Sequence, residues 1–149
     1  MTSDVPSSGR FEGNQHRFPV RVYFEDTDLS GVVYHANYLR YMERARSDML
    51  RVAGIDQRAA FETGEGVYAV RDVTLRFAAP ARLDDELLVV SRLTAMRPAA
   101  CVIQQRVMKG EAMLVEALVE AVFITPAGRP RRQPSQWLDI FTRLLSEGN

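Results

Sequence analysis

Only one long stretch of this chain has helical periodicity, and almost everything after it has the pattern of strands. Tyr38, Met42, Ala45, Met49 and Val52 recur at steps of four and three, which lays an apolar stripe along one side of a helix. Arg40, Glu43, Arg44, Arg46, Asp48 and Arg51 fall between them and form the expected solvated face. Gly54 follows the last stripe residue, where helices commonly stop. The spacing predicts a helix from near Asn37 to near Ala53. No other element of comparable length is available to cover a sheet.

The strand signals are period-two. Phe18, Val20, Val22 and Phe24 alternate with Pro19, Arg21, Tyr23 and Glu25. Val73, Leu75 and Phe77 alternate with Thr74 and Arg76 in a strand over 67–77 that Pro80 ends. Leu83-Asp84-Asp85 reads as a turn, and strands follow over 87–96 and 100–108, parted by a turn at Arg97-Pro98. Lys109-Gly110 makes a tight hairpin into a last strand over 113–125, whose ending VFIT outweighs its helix-compatible Ala, Leu and Glu. The stretch IDQRAAFETGEG is a turn or broken helix, and 126–134 a loop. Trp137, Ile140, Phe141 and Leu144 form the apolar side of a short helix over 135–145. A run of antiparallel strands with one segregated long helix is an α+β domain. The expected architecture is a hotdog: an antiparallel sheet of about five strands wrapped around a central helix.

The 149 residues fit one domain, and a chain of this size buries a core without metal or disulfide staples. Lys plus Arg and Asp plus Glu are 19 each, so no basic excess points to nucleic acid. Lys109 is the only lysine. Arginine suits fixed contacts to phosphate or carboxylate, but genomic base composition explains the bias more simply. A single cysteine, Cys101, permits no intrachain disulfide and fits a reducing compartment. The opening MTSDVPSSGRFEGNQH lacks an apolar core of signal-peptide length, and no apolar run approaches the roughly 20 residues of a membrane span. A cytoplasmic protein is therefore expected, with no membrane span and no nucleic-acid partner. Residues 1–16, rich in Ser, Gly, Asp and Asn, are expected to be a disordered tail before a single domain over 17–146.

Chemistry concentrates in EDTDLSGVVYHANY, residues 25–38. Asp28 lies in a loop just before the long helix. The first N–H groups of a helix are unpaired, and its dipole favours negative charge there. A carboxylate beside those amides can act as base or nucleophile while they hold the oxyanion of an attacked carbonyl. Gly31 lets the backbone turn sharply or approach a ligand. The purely structural reading is equally coherent: Asp and Thr favour turns, and Asn37 can be the helix N-cap. His35 is open to three readings, a proton carrier, a substrate hydrogen-bonder or a satisfied loop histidine. No second histidine or cysteine stands at ligand spacing, so no metal is expected. Cys101 reads as a packed core thiol, Tyr38 and Met42 as core, and Glu25 and Asp26 as loop anchors or solvated charges. No nucleophile elbow or phosphate-binding glycine loop is present.

Residues 20–51, VRVYFEDTDLSGVVYHANYLRYMERARSDMLR, closely resemble the signature of the acyl-CoA thioesterases associated with the Tol–Pal system. That group belongs to the 4-hydroxybenzoyl-CoA thioesterase family of hotdog proteins. FAAPARLDDEL at 77–87 resembles a second block of the family, and the likeness extends over about 18–125. It implies a hotdog fold, a homodimer or tetramer of hotdogs, and thioester hydrolysis at the subunit interface. By position, Asp28 matches the catalytic aspartate, as general base or nucleophile. His35 matches the residue whose backbone N–H polarises the thioester carbonyl, its side chain ranking lower. Tyr34 and Arg97 are implied as substrate-binding, Arg97 near the pantetheine entrance. Leu29 is bulkier than many relatives carry there, and Pro98 and Ala100 replace polar residues.

The implied substrate is an acyl-CoA, with an acyl carrier protein as a second possible donor, and coenzyme A enters only as part of the substrate. A thiolate leaves without much acid assistance, so no other cofactor is implied. The competing readings are another hotdog thioester enzyme, such as a hydratase, and a non-catalytic module that binds acyl groups, an acyl carrier protein or an envelope-lipid partner.

Overall fold

In the computed structural model of the chain, residues 4–146 are described. Strands β1 (Arg10–Glu12) and β2 (Gln15–Arg21) form a hairpin. A single 3-10 turn, Phe24–Asp26, leads into the loop before helix α1 (His35–Val52). Helix α2 (Gln57–Glu62) follows, then β3 (Val67–Phe77), β4 (Glu86–Arg97), β5 (Ala100–Lys109), β6 (Ala112–Ile124) and helix α3 (Ser135–Ser146). All strands join one antiparallel sheet in the order β1-β2-β4-β5-β6-β3. This is the expected α+β hotdog, with six strands rather than five.

The sheet curls around α1. Tyr38, Tyr41, Met42 and Ala45 pack onto Val89, Val107, Val115 and Val119 from the middle strands. Fully burying one such side chain is worth roughly 1.5–3 kcal/mol, so this seam anchors the helix. The buried face is broader than the predicted stripe: Tyr41 and Leu50 join it, while Val52 is exposed. A second cluster joins Met49, Leu93, Ile103 and Phe123 to Trp137 and Phe141 of α3. Gln133, fully buried, fastens the segment before α3. Its Nε2 donates to Arg97 O at 2.9 Å, and its Oε1 accepts from Tyr68 Oη and from Cys101 Sγ. Cys101 is thus a packed thiol whose burial pushes its pKa up to about 12.

The expected tail to residue 16 is corrected over residues 10–16, which belong to the β1–β2 hairpin; residues 1–3 lie outside the described residues. The inward alternation of Val22, Val20 and Phe18 simply continues to His16, which is completely buried. Its Nε2 donates to Asp48 Oδ2 at 2.7 Å, and Gly9 N donates to the same oxygen at 2.8 Å. Asp48 is therefore not on the solvated face of α1 as expected; it is only 3% exposed. A histidine inside a strand pattern carries no apolar signal, and its partner lies on a distant element.

Strand β3 is one edge of the sheet. Its register shifts between Val70 and Asp72, a bulge at Arg71. α1 packs against β1, β2, β4 and β5 but leaves β3 largely uncovered. Val70, Val73 and Phe77 are consequently 47%, 36% and 50% exposed. No helix among the described residues is long and apolar enough to cross a membrane.

Candidate functional site

The loop from Thr27 to Tyr34 is a small closed structure. Thr27 bridges Val33, and Val32 bridges Arg82. Val33 N donates to Ala81 O at 2.8 Å, and Ala81 N donates to Tyr38 Oη at 2.9 Å, so the loop is laced to α1 and to the segment before β4. Gly31, with φ of 83°, supplies the left-handed turn that returns the chain toward α1. Asp26 acts as the expected anchor. Its carboxylate accepts from Tyr23 N, and its carbonyl accepts from Tyr34 N at 2.9 Å and from Asn37 Nδ2 at 2.8 Å.

Asp28 is exposed at the mouth of this loop. Its Oδ1 accepts from Ser30 N at 2.8 Å and from Ser30 Oγ at 2.6 Å. The Ser30 hydroxyl, then the Ser30 amide, hold its carboxyl below the usual carboxylate range. The group is an anion at neutral pH, the amides of Val32 and of Asp28 itself adding to the pull of Ser30.

α1 starts two residues earlier than the stripe implied. Tyr34, not Asn37, is the N-cap, its side chain makes no capping bond, and the first turn contains no acidic residue. Asn37 is already inside the helix, its N–H on Tyr34 O at 2.8 Å. Among the described residues, the N–H groups of His35 and Ala36 have no acceptor. Ala36 and Asp28 line one cavity of about 310 Å³, together with Thr27, Tyr34, Asn37 and Arg40. The amino end of α1 at Ala36, with its unpaired amide and positive dipole, and an ionised carboxylate thus face a common space, and His35 stands just outside its lining. That arrangement can polarise a carbonyl and attack it, directly or through water.

Asp28 and Tyr34 line the same cavity, and His35 touches it through its ring contact with Tyr34. The His35 ring leans on Tyr34 at 4.4 Å between centroids and meets Phe77, at the end of β3, edge-on at 6.4 Å. It makes no hydrogen bond among the described residues, which leaves the backbone N–H as its chemically directed group. Arg97 does not join them within one protomer. It ends β4, about 35 Å along the strand from Glu86, and pairs with Glu120, which Arg71 also holds. Sequence reasoning missed Ser30, Asn37 and Arg40. Ser two residues after Asp is a recognisable Asx-turn signal; Arg40, which donates to Asn37 Oδ1 at 3.1 Å, reads only as helix surface. No cluster of three or more metal-binding side chains occurs among the described residues.

The family model of the thioesterase-like superfamily matches residues 22–141. The acyl-CoA thioester hydrolase YbgC of Escherichia coli O6:H1 is 44% identical over 120 residues, 79% of this chain and 89% of that protein. The acyl-CoA thioesterase YbgC of Haemophilus influenzae is 38% identical, over 74% of this chain and 82% of its own length. Among solved structures, a probable thioesterase from Bartonella henselae is 40% identical with a TM-score of 0.75, over 81% of this chain and 98% of that one.

Proposed function

This chain belongs to the thioesterase-like superfamily and is an acyl-CoA thioester hydrolase, and we propose that Asp28 and the amino end of α1 carry the reaction. The observation that supports this reading is the cavity shared by an anionic Asp28 and Ala36, whose N–H is unpaired like that of His35 one residue before it. A thioester carbonyl oxygen directed at those amides is polarised, and its carbon then faces Asp28. On one route Asp28 Oδ2 takes a proton from water as the water oxygen bonds to carbon. On the other Oδ2 itself bonds to carbon, giving a mixed anhydride that water hydrolyses. In both, the C–S bond breaks and the thiolate leaves, its pKa close enough to neutral to need little acid help. The products are a free acid and a thiol, and the reaction as written consumes only water, without metal or redox cofactor.

Asp28→Asn should lower kcat/KM for acyl-CoA by about 100-fold or more, followed as free thiol. Retention of near wild-type activity would remove Asp28 from the reaction. After single turnover in ¹⁸O-water, label in the Asp28 carboxyl marks the anhydride route with water attacking the Asp28 carbon, whereas label confined to the product acid marks water attack on the acyl carbon.

A two-fold dimer through β3 completes the reading. β3 is a long edge with exposed Val70, Val73 and Phe77, whereas the opposite edge, β1, is three residues with two charges. Short, charged edges resist pairing, so the interface is assigned to the long apolar stretch of β3 beyond its bulge, over Asp72–Phe77, and the Asp28 cleft adjoins it through Phe77. Assigning Arg97 to the pantetheine arm then requires a second protomer, while Tyr34 lines the cleft of its own. Pairs of such dimers form the tetramer, and the enzyme works in the cytoplasm, with a CoA or acyl carrier protein thioester as donor.

A further inference from the structure

A second cavity, of about 250 Å³, lies along the later half of α1 and shares no lining residue with the Asp28 cleft. Met49, Leu50, Leu93, Ile103, Phe141 and Leu144 make its walls apolar. Arg46 is the only cation that lines it. Arg46 Nη1 donates to Gln105 Oε1 at 2.9 Å. Gln105 is completely buried, and its Nε2 donates to Met42 O at 3.0 Å and to buried Ser91 Oγ at 2.9 Å. Those two bonds turn the amide oxygen toward the guanidinium, so a buried polar chain holds the half-buried arginine at the cavity.

The chain is neutral. Among the described residues no carboxylate forms an ion pair with Arg46; Glu43, one turn earlier and exposed at the same cavity, acts on it only through space. Burial lowers the Arg46 pKa, opposed by the field of Glu43. Other arginines on this sheet are treated differently, Arg106 resting on Glu116 and Arg71 on Glu120. Arg46 is half-buried, and a partly desolvated cation with one neutral hydrogen-bond partner has N–H donors to offer an anion that reaches it. Its planar fork matches a carboxylate.

We propose that this cavity binds an organic carboxylate with a short apolar body, and that Arg46 takes the carboxylate. The volume admits about eight water-sized groups, at about 30 Å³ each, which suits a chain of six to eight carbons or one aromatic ring. The ligand is either the free acid released by hydrolysis or the far carboxylate of a dicarboxylic acyl group still on its carrier. Antiparallel pairing of two β3 edges places the Tyr68–Val70 end, which lines this cavity, toward the Phe77 end of the other strand and hence toward the other protomer's Asp28 cleft. The second source rests on the proposed thioesterase site; the first does not.

Trp137 is the only tryptophan, and its ring lies 5.9 Å from that of Tyr68 on the cavity wall, so its fluorescence reports occupancy. Titration of the full-length protein with octanoate should give a saturable change, and octanol a much weaker one. Arg46→Gln should weaken octanoate at least about tenfold and leave octanol unmoved, and Arg46→Lys should restore part of the octanoate affinity. If the ligand is the distal group of a substrate, Arg46→Gln lowers kcat/KM for adipoyl-CoA about tenfold relative to hexanoyl-CoA; if it is the free acid, that ratio stays fixed while octanoate binding is lost. Octanoate bound no better than octanol, or equally by wild type and Arg46→Gln, with an unchanged adipoyl to hexanoyl ratio, would overturn the proposal. Absence of all thioester hydrolysis would count against the proposed function alone, since the octanoate titration still decides the cavity.

Discussion

Asp28 shows how one neighbour sets the state of the carboxylate proposed to act on the thioester. Both Ser30 bonds fall on Oδ1, which lowers the pKa. Ser30→Ala removes the larger cause, so the Asp28 pKa should move back up toward the ordinary aspartate value of about 3.9. A group with a depressed pKa acts in its ionised form, so activity is retained above that pKa and lost as pH falls through it. The acid limb of kcat/KM should therefore lie below about pH 4 in wild type and move upward in Ser30→Ala. The Ser30 hydroxyl also fixes the carboxylate's orientation, so kcat/KM should fall about tenfold. A pH profile with unmoved limbs in Ser30→Ala would show that Asp28 is not the group that titrates. Asp28 itself was legible because a loop acid before a helix start is a local pattern. Ser30 was within reach of the same local reasoning, whereas the absence of a capping side chain at Tyr34, which leaves the His35 and Ala36 amides unpaired, depends on a rotamer.

At the scale of elements, the β1–β2 hairpin is held to α1 by the His16–Asp48 contact. His16 Nδ1 is buried without a partner. In the neutral imidazole that atom is an acceptor left idle; in the imidazolium it is an N–H with nowhere to donate. This agrees with the lowered His16 pKa, which burial causes against the opposing pull of Asp48. The folded pKa lies below the unfolded value of about 6.5, so the unfolded chain takes up protons first as pH falls. The hairpin's stability is present above about pH 6.5 and declines below it. Hydrogen exchange of the β1 and β2 amides should accelerate between about pH 7 and 5.5, ahead of that of β5 and β6. Asp48→Ala, which leaves both His16 and the Gly9 amide without their acceptor, should cost about 3 kcal/mol, read as the denaturant midpoint. Equal exchange protection across all strands in that variant would mean that the contact does not govern the hairpin. Elements with regular apolar spacing, α1 and β3 to β6, were legible within a few residues. β1, three residues long with one apolar side chain, and the inward His16 had no such spacing to reveal them.

At the scale of the whole molecule, the proposed dimer rests on the uncovered face of β3 and on the Asp28 cleft at its Phe77 end. Val73→Glu puts a charge in the middle of the apolar edge without touching the cleft's lining. Sedimentation should show a monomer for this variant and an oligomer for wild type, with thioesterase activity falling in step. A wild-type monomer of full activity would remove the interface from the mechanism. Arg97 belongs to the same question, because within one protomer it lies at the opposite end of β4 and is occupied by Glu120.

Period-two and period-four spacing were enough to specify the α+β hotdog, its helix and its strand succession, because burying a stripe or a face is a requirement each segment meets locally. The loop of Asp28 and the turn at Gly31 were likewise written in adjacent residues, whereas the helix start, read near Asn37, lies at His35. What the tertiary structure alone decided were the contacts between residues far apart in the chain. His16 meets Asp48, Gln105 aims its oxygen at Arg46, and Gln133 bonds the β4–β5 turn. Each is a polar residue at a position where the local pattern predicts either apolar core or solvent. The physical reason is that a buried polar group is tolerated only where its partner happens to lie, and that location is a property of the packed sheet and helices.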